Sequence, residues 1–384
     1  MRKNAAEAGF DCTFVPLCLD GRNLHLSLEQ ARGTRSDGRY LTQMDSAAVI
    51  LPTDGRPPIV INDRGEGNAW TEARPAMQGQ RGSWAPAMAE ALLELGFEGA
   101  RIGVSGLRRG RVTHTRAIEG VINHSSYVEV VRRLPNATFE DATDVVGFVR
   151  YIKSDEEIAA LRRGAAIAAA GIEAMVAGAR PGVPLPELYA QVMERMLELG
   201  SEYYPLALYA GPMGGVRPRF EDPPIDRVLG PDYLITNETD AVWGQLIAQE
   251  LQPILLGPIP DTWKPVIELQ RDMFYAGMEF MKPGVTFGEL IDFTNDMGRQ
   301  RGMLSLILIH GRGHGNDGPL LTPQHRREEH IRSVVVQKGN VWVWKPIAYS
   351  ADESIEFSWG GCVLVTDRGG EQLVDRRPGL VSIQ

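Results

Sequence analysis

Two stretches of this chain match each other closely: "ARPGVPLPEL" at 179–188 and "MKPGVTFGEL" at 281–290. Each runs from a basic residue through Pro-Gly-Val to a Glu-Leu pair. Pro-Gly marks a tight turn, because proline fixes its own φ and glycine adopts backbone conformations that other residues avoid. A helical pattern precedes and follows each turn. The first begins at Ser154 and Glu157, spaced as a capping box, and continues through the Ala-rich "AAIAAAGIEAMVAG". Further helices are predicted at 186–199, 261–281 and 287–301. Strand-like blocks follow each helix pair, at 203–257 and then at 303–310, 339–348 and 360–366. Two helices and sheet, then two helices and more sheet, predict an α+β domain with an internal half-repeat. It begins near residue 150.

The segment before that boundary reads differently. "AAVILP" (47–52) and "PPIVIND" (57–63) are apolar, β-branched runs separated by the turn signal "TDGR". "WAPAMAEALLELGFEG" (84–99) has helical spacing and stops at glycines, and "ARIGVSG" follows as a buried strand. This is an α/β pattern. At 384 residues the chain exceeds the size at which single cores stop growing, roughly 250–300 residues. Two domains are therefore expected: a smaller α/β domain at 1–150 and a larger α+β domain at 151–384.

The net charge of −9 and the lack of a long basic run argue against a nucleic-acid partner. Cys12, Cys18 and Cys362 are too scattered for a disulfide framework or a metal-ligand spacing, which predicts a reducing, cytoplasmic setting. The opening "MRKNAAEAGFDCTFVPLCLDG" is broken by charges, and no apolar run approaches the ~20 residues of a membrane span. No glycine-rich phosphate loop feeds a helix, and the Gly pair in "MGGVRP" (213–218) is too short a signal to count as one.

The entry "YIKSDEEIAALRRGAAIA", both Pro-Gly-Val turns, "RGHGNDGP" (312–319), "KP" (345–346) and "CVLVTDRGGEQL" (362–373) occur in one order and spacing. In this the chain resembles the creatinase, prolidase and methionine aminopeptidase (M24) family over roughly 150–375. The resemblance implies a C-terminal pita-bread domain behind a smaller α/β domain of the creatinase and prolidase type. It also implies a homodimer in which one N-terminal domain covers the partner's pocket, with the segment at 56–70 as the covering surface.

The family's peptidases hold two metal ions with two aspartates, a histidine and two glutamates, a donor set that suits hard or borderline cations. Carried over by spacing, the aspartate positions fall on Asn237 and Ala248, the histidine on His314, and the glutamates on Lys345 and Gly360. One imidazole does not hold a divalent cation, so the resemblance implies no metal and no other cofactor. Asn237, Ala248 and Glu250 follow the creatinase pattern on this strand; creatinase is the member that works without metal. The upstream histidine of creatinase is missing, since that region reads "GVRPRFEDPPIDR". Creatine itself is therefore not the expected substrate.

The resulting expectation is a metal-independent, creatinase-like hydrolase acting on a C–N bond of a small molecule. A lyase using the same pocket and a non-catalytic binding module remain as alternatives. His314, flanked by glycines, is expected to carry protons, since an ordinary imidazole titrates near ~6.5; its structural alternative is a hydrogen-bonded remnant. Glu250 is expected to orient the substrate, against a solvated strand-end carboxylate. Lys345 lies between "VWVW" and Pro346 and must be paired, because a lone buried ammonium is costly. It either neutralises buried carboxylates or stands in for metal charge toward the substrate, with Glu250 or Asp240 as the expected contact.

Asn237 and Asp240 complete the strand. Arg217 and Arg219 are offered as a carboxylate clamp, against an exposed loop. Trp243, Trp344 and Trp359 are offered as pocket walls, against ordinary core. His310 is a strand-end histidine or a second catalyst. Glu356, like Glu353, is a loop carboxylate or a replacement for the glutamate missing at Gly360.

Overall fold

The computed structural model describes residues 1–16, 37–44, 47–62, 64–75, 83–108, 120–214, 227–315, 317–318, 320–324 and 326–384. They form two compact units, 1–150 and 151–384.

In the first unit the described strands are Cys12–Val15 (β1), Ala48–Pro52 (β2), Ile59–Asn62 (β3), Glu72–Pro75 (β4), Arg101–Val104 (β5) and Thr138–Asp141 (β6). They form one mixed sheet in the order β4-β3-β2-β1-β5-β6. Strands β2 and β3 are buried along their whole length, as expected for continuous Val/Ile/Leu runs covered on both faces. Helices Ala85–Glu94 (α1) and His124–Arg133 (α2) belong to the same core, with Met88, Leu92 and Val130 packed against Phe14, Ile50 and Ile102. The Asn123 side chain caps α2 by accepting from the Ser126 N–H.

The second unit contains the predicted helix pairs: Asp155–Gly178 (α3) with Leu185–Glu198 (α4), and Lys264–Phe280 (α5) with Phe287–Gln300 (α6). The Ser154–Glu157 capping box is formed, and the second repeat carries its own in Thr286–Glu289. The glycines of the two Pro-Gly-Val turns, Gly182 and Gly284, take φ of +90° and +97°, which explains why glycine stands at both. The strands are Ala207–Pro212 (β7), Tyr233–Trp243 (β8), Leu246–Glu250 (β9), Ile254–Leu256 (β10), Leu304–Gly311 (β11), Leu320–Leu321 (β12), Val341–Tyr349 (β13), Glu356–Ser358 (β14), Gly361–Thr366 (β15), Gly369–Gln372 (β16) and Val381–Ile383 (β17). The described strands pair in the order β12-β11-β13-β15-β9-β8-β10-β17, with β7 on β8, β14 on β13 and β16 on β15.

Each helix pair covers its own part of this sheet. Helices α3 and α4 share a core with Ile235 and Ala241 of β8 and Ile254 of β10. Helix α5 lies against β13, where the Trp344 Nε1–H donates to the Phe274 carbonyl at 3.1 Å. Gly277 permits this approach, since a Cβ there would stand 2.4 Å from the Trp344 ring. Among the described residues no helix is long and apolar enough to cross a membrane. Gly277→Ala is expected to push α5 off β13 and cost roughly 1–3 kcal/mol despite alanine's better helix propensity. A denaturant titration showing equal or greater stability would contradict this packing.

Candidate active site

The site starts from a hairpin. Gly244 and Gln245 both have positive φ, +58° and +66°, and link Trp243 to Leu246. A two-residue loop with both φ positive suits the twist of an antiparallel pair and fixes its register. Asp240 therefore lies opposite Gln249, and Ala241 opposite Ala248. Ala241 and Ala248 face α3, where Gly164 lets the helix come close. Side chains alternate along a strand, so Glu238, Asp240 and Gln249 share the opposite face.

Two cations meet these carboxylates. The Lys345 ammonium donates to Glu238 Oε1 at 2.6 Å, with the two side chains 4% and 11% exposed. The Arg312 guanidinium donates to Asp240 Oδ1 at 2.8 Å, with both side chains buried. The Gln249 side-chain amide also donates to both Asp240 oxygens, each at 3.0 Å. Lys345 lies on β13 opposite Leu308, and His310 opposite Val343. His310 thus shares the face of Lys345 and is its diagonal neighbour, about 7–8 Å away between Cα atoms. The expected partners of Lys345 were Glu250 or Asp240; the residue found against it is Glu238.

His314 follows Arg312 in a tight loop after β11. Asp317 Oδ2 accepts the His314 backbone N–H at 3.0 Å and the Lys153 ammonium at 2.7 Å. The Lys153 and Asp317 side chains are both 0% exposed. A Cβ on Gly313 would stand 1.9 Å from Asp317 Oδ2, so only glycine fits there. Lys153 immediately precedes the Ser154 cap, which ties the start of α3 to the histidine loop.

A cavity of about 220 Å³ opens on the same face. Leu234 and Thr236 of β8, in phase with Glu238, line it, as does Tyr349 of β13, in phase with Lys345. Tyr209, Trp263, Glu353 and Glu356 form further walls.

Asn237 and Glu250 point the other way. The Asn237 amide donates to the Gln252 carbonyl at 2.7 Å. Glu250 is buried; its carboxylate accepts from the Cys362 N–H at 3.2 Å and from the Arg376 guanidinium at 3.1 Å. Arg376 also donates to Gln252 Oε1 and lies 5.1 Å from the centre of the Trp359 ring. This second network is on the α3 side of the hairpin. Trp344 and Trp359 are fully buried against α5, and Trp243 stands at the hairpin tip under Arg163. The indole that lines the cavity is Trp263. Arg217 and Arg219 lie outside the described residues. Of the residues named from the sequence, Lys345, Asp240 and His310 share this face and Glu356 lines its cavity; Glu238, Gln249, Arg312, Lys153 and Asp317 were not named.

A family model described as metallopeptidase family M24 matches residues 159–367. The chain belongs to this family. It is 26% identical over 163 residues to a Sinorhizobium fredii protein named "Uncharacterized hydrolase/peptidase y4tM", and the match spans 42% of each chain. The Xaa-Pro dipeptidase of Bacillus anthracis superposes with a TM-score of 0.77 at 18% identity, over 100% of this chain and 98% of that one. The X-Pro aminopeptidase of Thermotoga maritima does so at 0.75 and 15%, over 99% and 100%. The prolidase of Pyrococcus furiosus gives 0.72 and 16%, over 98% and 100%. At these identities the likeness establishes the fold: a mixed α/β chain whose C-terminal domain is the pita-bread domain.

Burial pushes the Glu250 carboxyl up to about 7, and Arg376 and the Cys362 N–H offset only part of that rise. A carboxyl raised in the folded state favours folding at low pH, and this contribution fades as pH climbs from its unfolded value toward 7. The wild-type protein should lose up to about 3 kcal/mol from this group between pH 4.5 and 8. Glu250→Gln should flatten that slope. Denaturant titrations across this range check it; parallel slopes for the two proteins would refute the assignment.

Proposed function

We propose that this chain is a metal-independent hydrolase that cleaves a C–N bond of a small molecule. The observation that carries the reading is the pairing of Glu238 with Lys345 and of Asp240 with Arg312. The family description implies a metal centre, and the residues at this hairpin do not suit one. Glu238 and Asp240 each already have a cation against them, and no group of three or more His, Cys, Asp or Glu side chains gathers to hold an ion among the described residues. An ammonium beside a carboxylate competes with a metal ion for the same oxygen lone pairs.

In this reading Lys345 faces the substrate carbonyl or amidine and stabilises negative charge as it develops, in the role a metal would fill. Glu238 keeps the ammonium oriented and charged. Water attacks the carbon, its proton passes to an imidazole, and that imidazole protonates the departing nitrogen as the C–N bond breaks. His314, held by Asp317, is proposed as that imidazole, with His310 lining the approach. Glu250 then serves the hairpin from its other face. A second reading is a binding module without catalysis. It is favoured by the same pairing, since Lys345 with Glu238 and Arg312 with Asp240 are already matched within the protein.

The protein is expected to purify with well under one transition-metal ion per chain. In a strong chelator it should still deplete a small C–N compound from a metabolite extract, with Lys345→Met about 100–1000-fold slower. It should release no proline from Xaa-Pro dipeptides when Mn²⁺ is supplied. Elemental analysis finding one or two ions per chain, or metal-dependent dipeptide cleavage, would overturn the proposal; intact metabolite pools would leave the binding module. We also infer a homodimer through the segment at 56–70, where Trp70 is 53% exposed. Light scattering giving the monomer mass at micromolar concentration would refute that.

A further inference from the structure

A groove of about 600 Å³ opens on the α3 side of the hairpin. One wall is a stripe of α3, where Ala169, Ile172, Val176 and Ala177 recur at helical spacing. The other wall is the C-terminal segment, with Val374, Val381 and Ile383. Val176, Val381 and Ile383 pack against the apolar cluster shared by α3, α4, β8 and β10. Val374 packs against a second cluster that holds Leu161 and Val343. Apolar side chains from two clusters thus line one groove. Its volume falls within the ~300–1,000 Å³ of small-molecule sites, which are mostly apolar with a few placed polar groups.

The polar groups deep in these walls are Gln252 and Arg376. Gln252 is fully committed. Its amide donates to the Pro253 and Gly379 carbonyls at 3.0 and 2.8 Å, and its Oε1 accepts from Trp359 Nε1–H at 3.1 Å and from Arg376 at 2.9 Å. Arg376 is not. Its side chain is 11% exposed; Nη1 donates to Glu250 Oε2 at 3.1 Å and to the Leu251 carbonyl at 3.0 Å, and Nη2 donates to Gln252. Those bonds use three of the five N–H groups of a guanidinium. The other two, one of them on Nε, take no partner among the described residues. Three bonds and the Trp359 ring already hold this guanidinium still, so a ligand engaging it orders little more. A carboxylate accepts from two N–H groups of one guanidinium at once. Arg180 is a second cation on the groove, with Nη1 turned to the Val176 and Ala179 carbonyls at the end of α3. The Ser382 hydroxyl donates to the Gly257 carbonyl. Glu173 and Asp375 stand at the exposed rim, where water screens them.

We infer that this groove is a ligand site for a small apolar carboxylic acid, with the carboxylate on Arg376 and the hydrocarbon body along the α3 stripe. The inference is independent of the hydrolase reading, because the Lys345–Glu238 pair lies on the other face of the hairpin.

The test is isothermal titration of the full chain with octanoate, octan-1-ol and octylamine. Octanoate is expected to bind about tenfold or more tighter than the alcohol. Hexanoate, two methylenes shorter, should bind about tenfold more weakly than octanoate. Arg376→Lys keeps a cation against Glu250 and loses the fork, so it should bind octanoate about tenfold more weakly and octan-1-ol unchanged. Ala177→Trp fills the groove from an exposed helix position and should abolish binding of both while keeping the wild-type melting temperature. It carries the test, with the comparison of probes, if Arg376→Lys does not fold. Equal binding of octanoate and octan-1-ol, preference for octylamine, no heat with octanoate, or undiminished octanoate binding by folded Ala177→Trp or Arg376→Lys would each overturn the inference.

Discussion

Lys345 and Glu238 face each other at 2.6 Å inside the sheet, and the surrounding structure is arranged around that contact. Taking an ammonium and a carboxylate out of water costs several kcal/mol per ion, which is recovered only with close geometry and further hydrogen bonds. The backbone supplies the geometry. The Gly244–Gln245 turn sets the register that brings Glu238 and Asp240 to one face, and the β11–β13 ladder sets the position of Lys345. The neighbouring Arg312–Asp240 pair follows the same logic, with Gln249 donating to the remaining carboxylate oxygen. Within these two pairs each cation matches one anion, in a setting where an unmatched charge would be expensive.

The glycines after Trp359 show how the rest of the sheet accommodates this. A Cβ on Gly360 would stand 2.2 Å from the Trp344 carbonyl and 3.0 Å from Lys345 Cγ. A Cβ on Gly361 would stand 2.0 Å from Glu250 Oε2. Side chains at these two positions would displace Lys345 from one direction and Glu250 from the other. The two faces of the hairpin are therefore coupled through one dipeptide. One face carries the Lys345–Glu238 pair, and the other the Glu250–Arg376–Gln252–Trp359 network that joins β9 to the C-terminal segment.

Much of the fold was legible in the sequence. The capping box at Ser154, the repeated Pro-Gly-Val turns and the apolar runs have local causes, and they appear where those causes place them. The site was less legible because its key strand, "YLITNETDAVW", is polar at five consecutive positions, 236–240. Alternation has period two, so a one-residue error in phase moves every side chain to the other face. Spacing from Gly244 led to Asn237, Ala248 and Glu250, which are the residues of the α3 side. The flanks did not resolve the phase, since Ile235 and Ala241 of the odd series are matched by Leu234 and Val242 of the even series. The structure settles it: Ile235 and Ala241 share the helix core, which leaves Glu238 and Asp240 to the other face. The tryptophans gave no such guidance. "VWVW" is buried on both faces, so its alternation could not tell core from pocket. Lys153 and Asp317 are far apart in sequence, and nothing local links them.

We propose that Lys345 and Glu238 are a mutually dependent buried pair standing where the family's peptidases carry the charge of a metal centre. A double-mutant cycle measures this directly, with unfolding free energies for wild type, Lys345→Met, Glu238→Gln and the double variant. Each single change leaves one buried charge unmatched and is predicted to cost roughly 3–5 kcal/mol, whereas the double variant should recover most of that loss. Additive costs, with the double variant as unstable as the sum of the singles, would contradict the account.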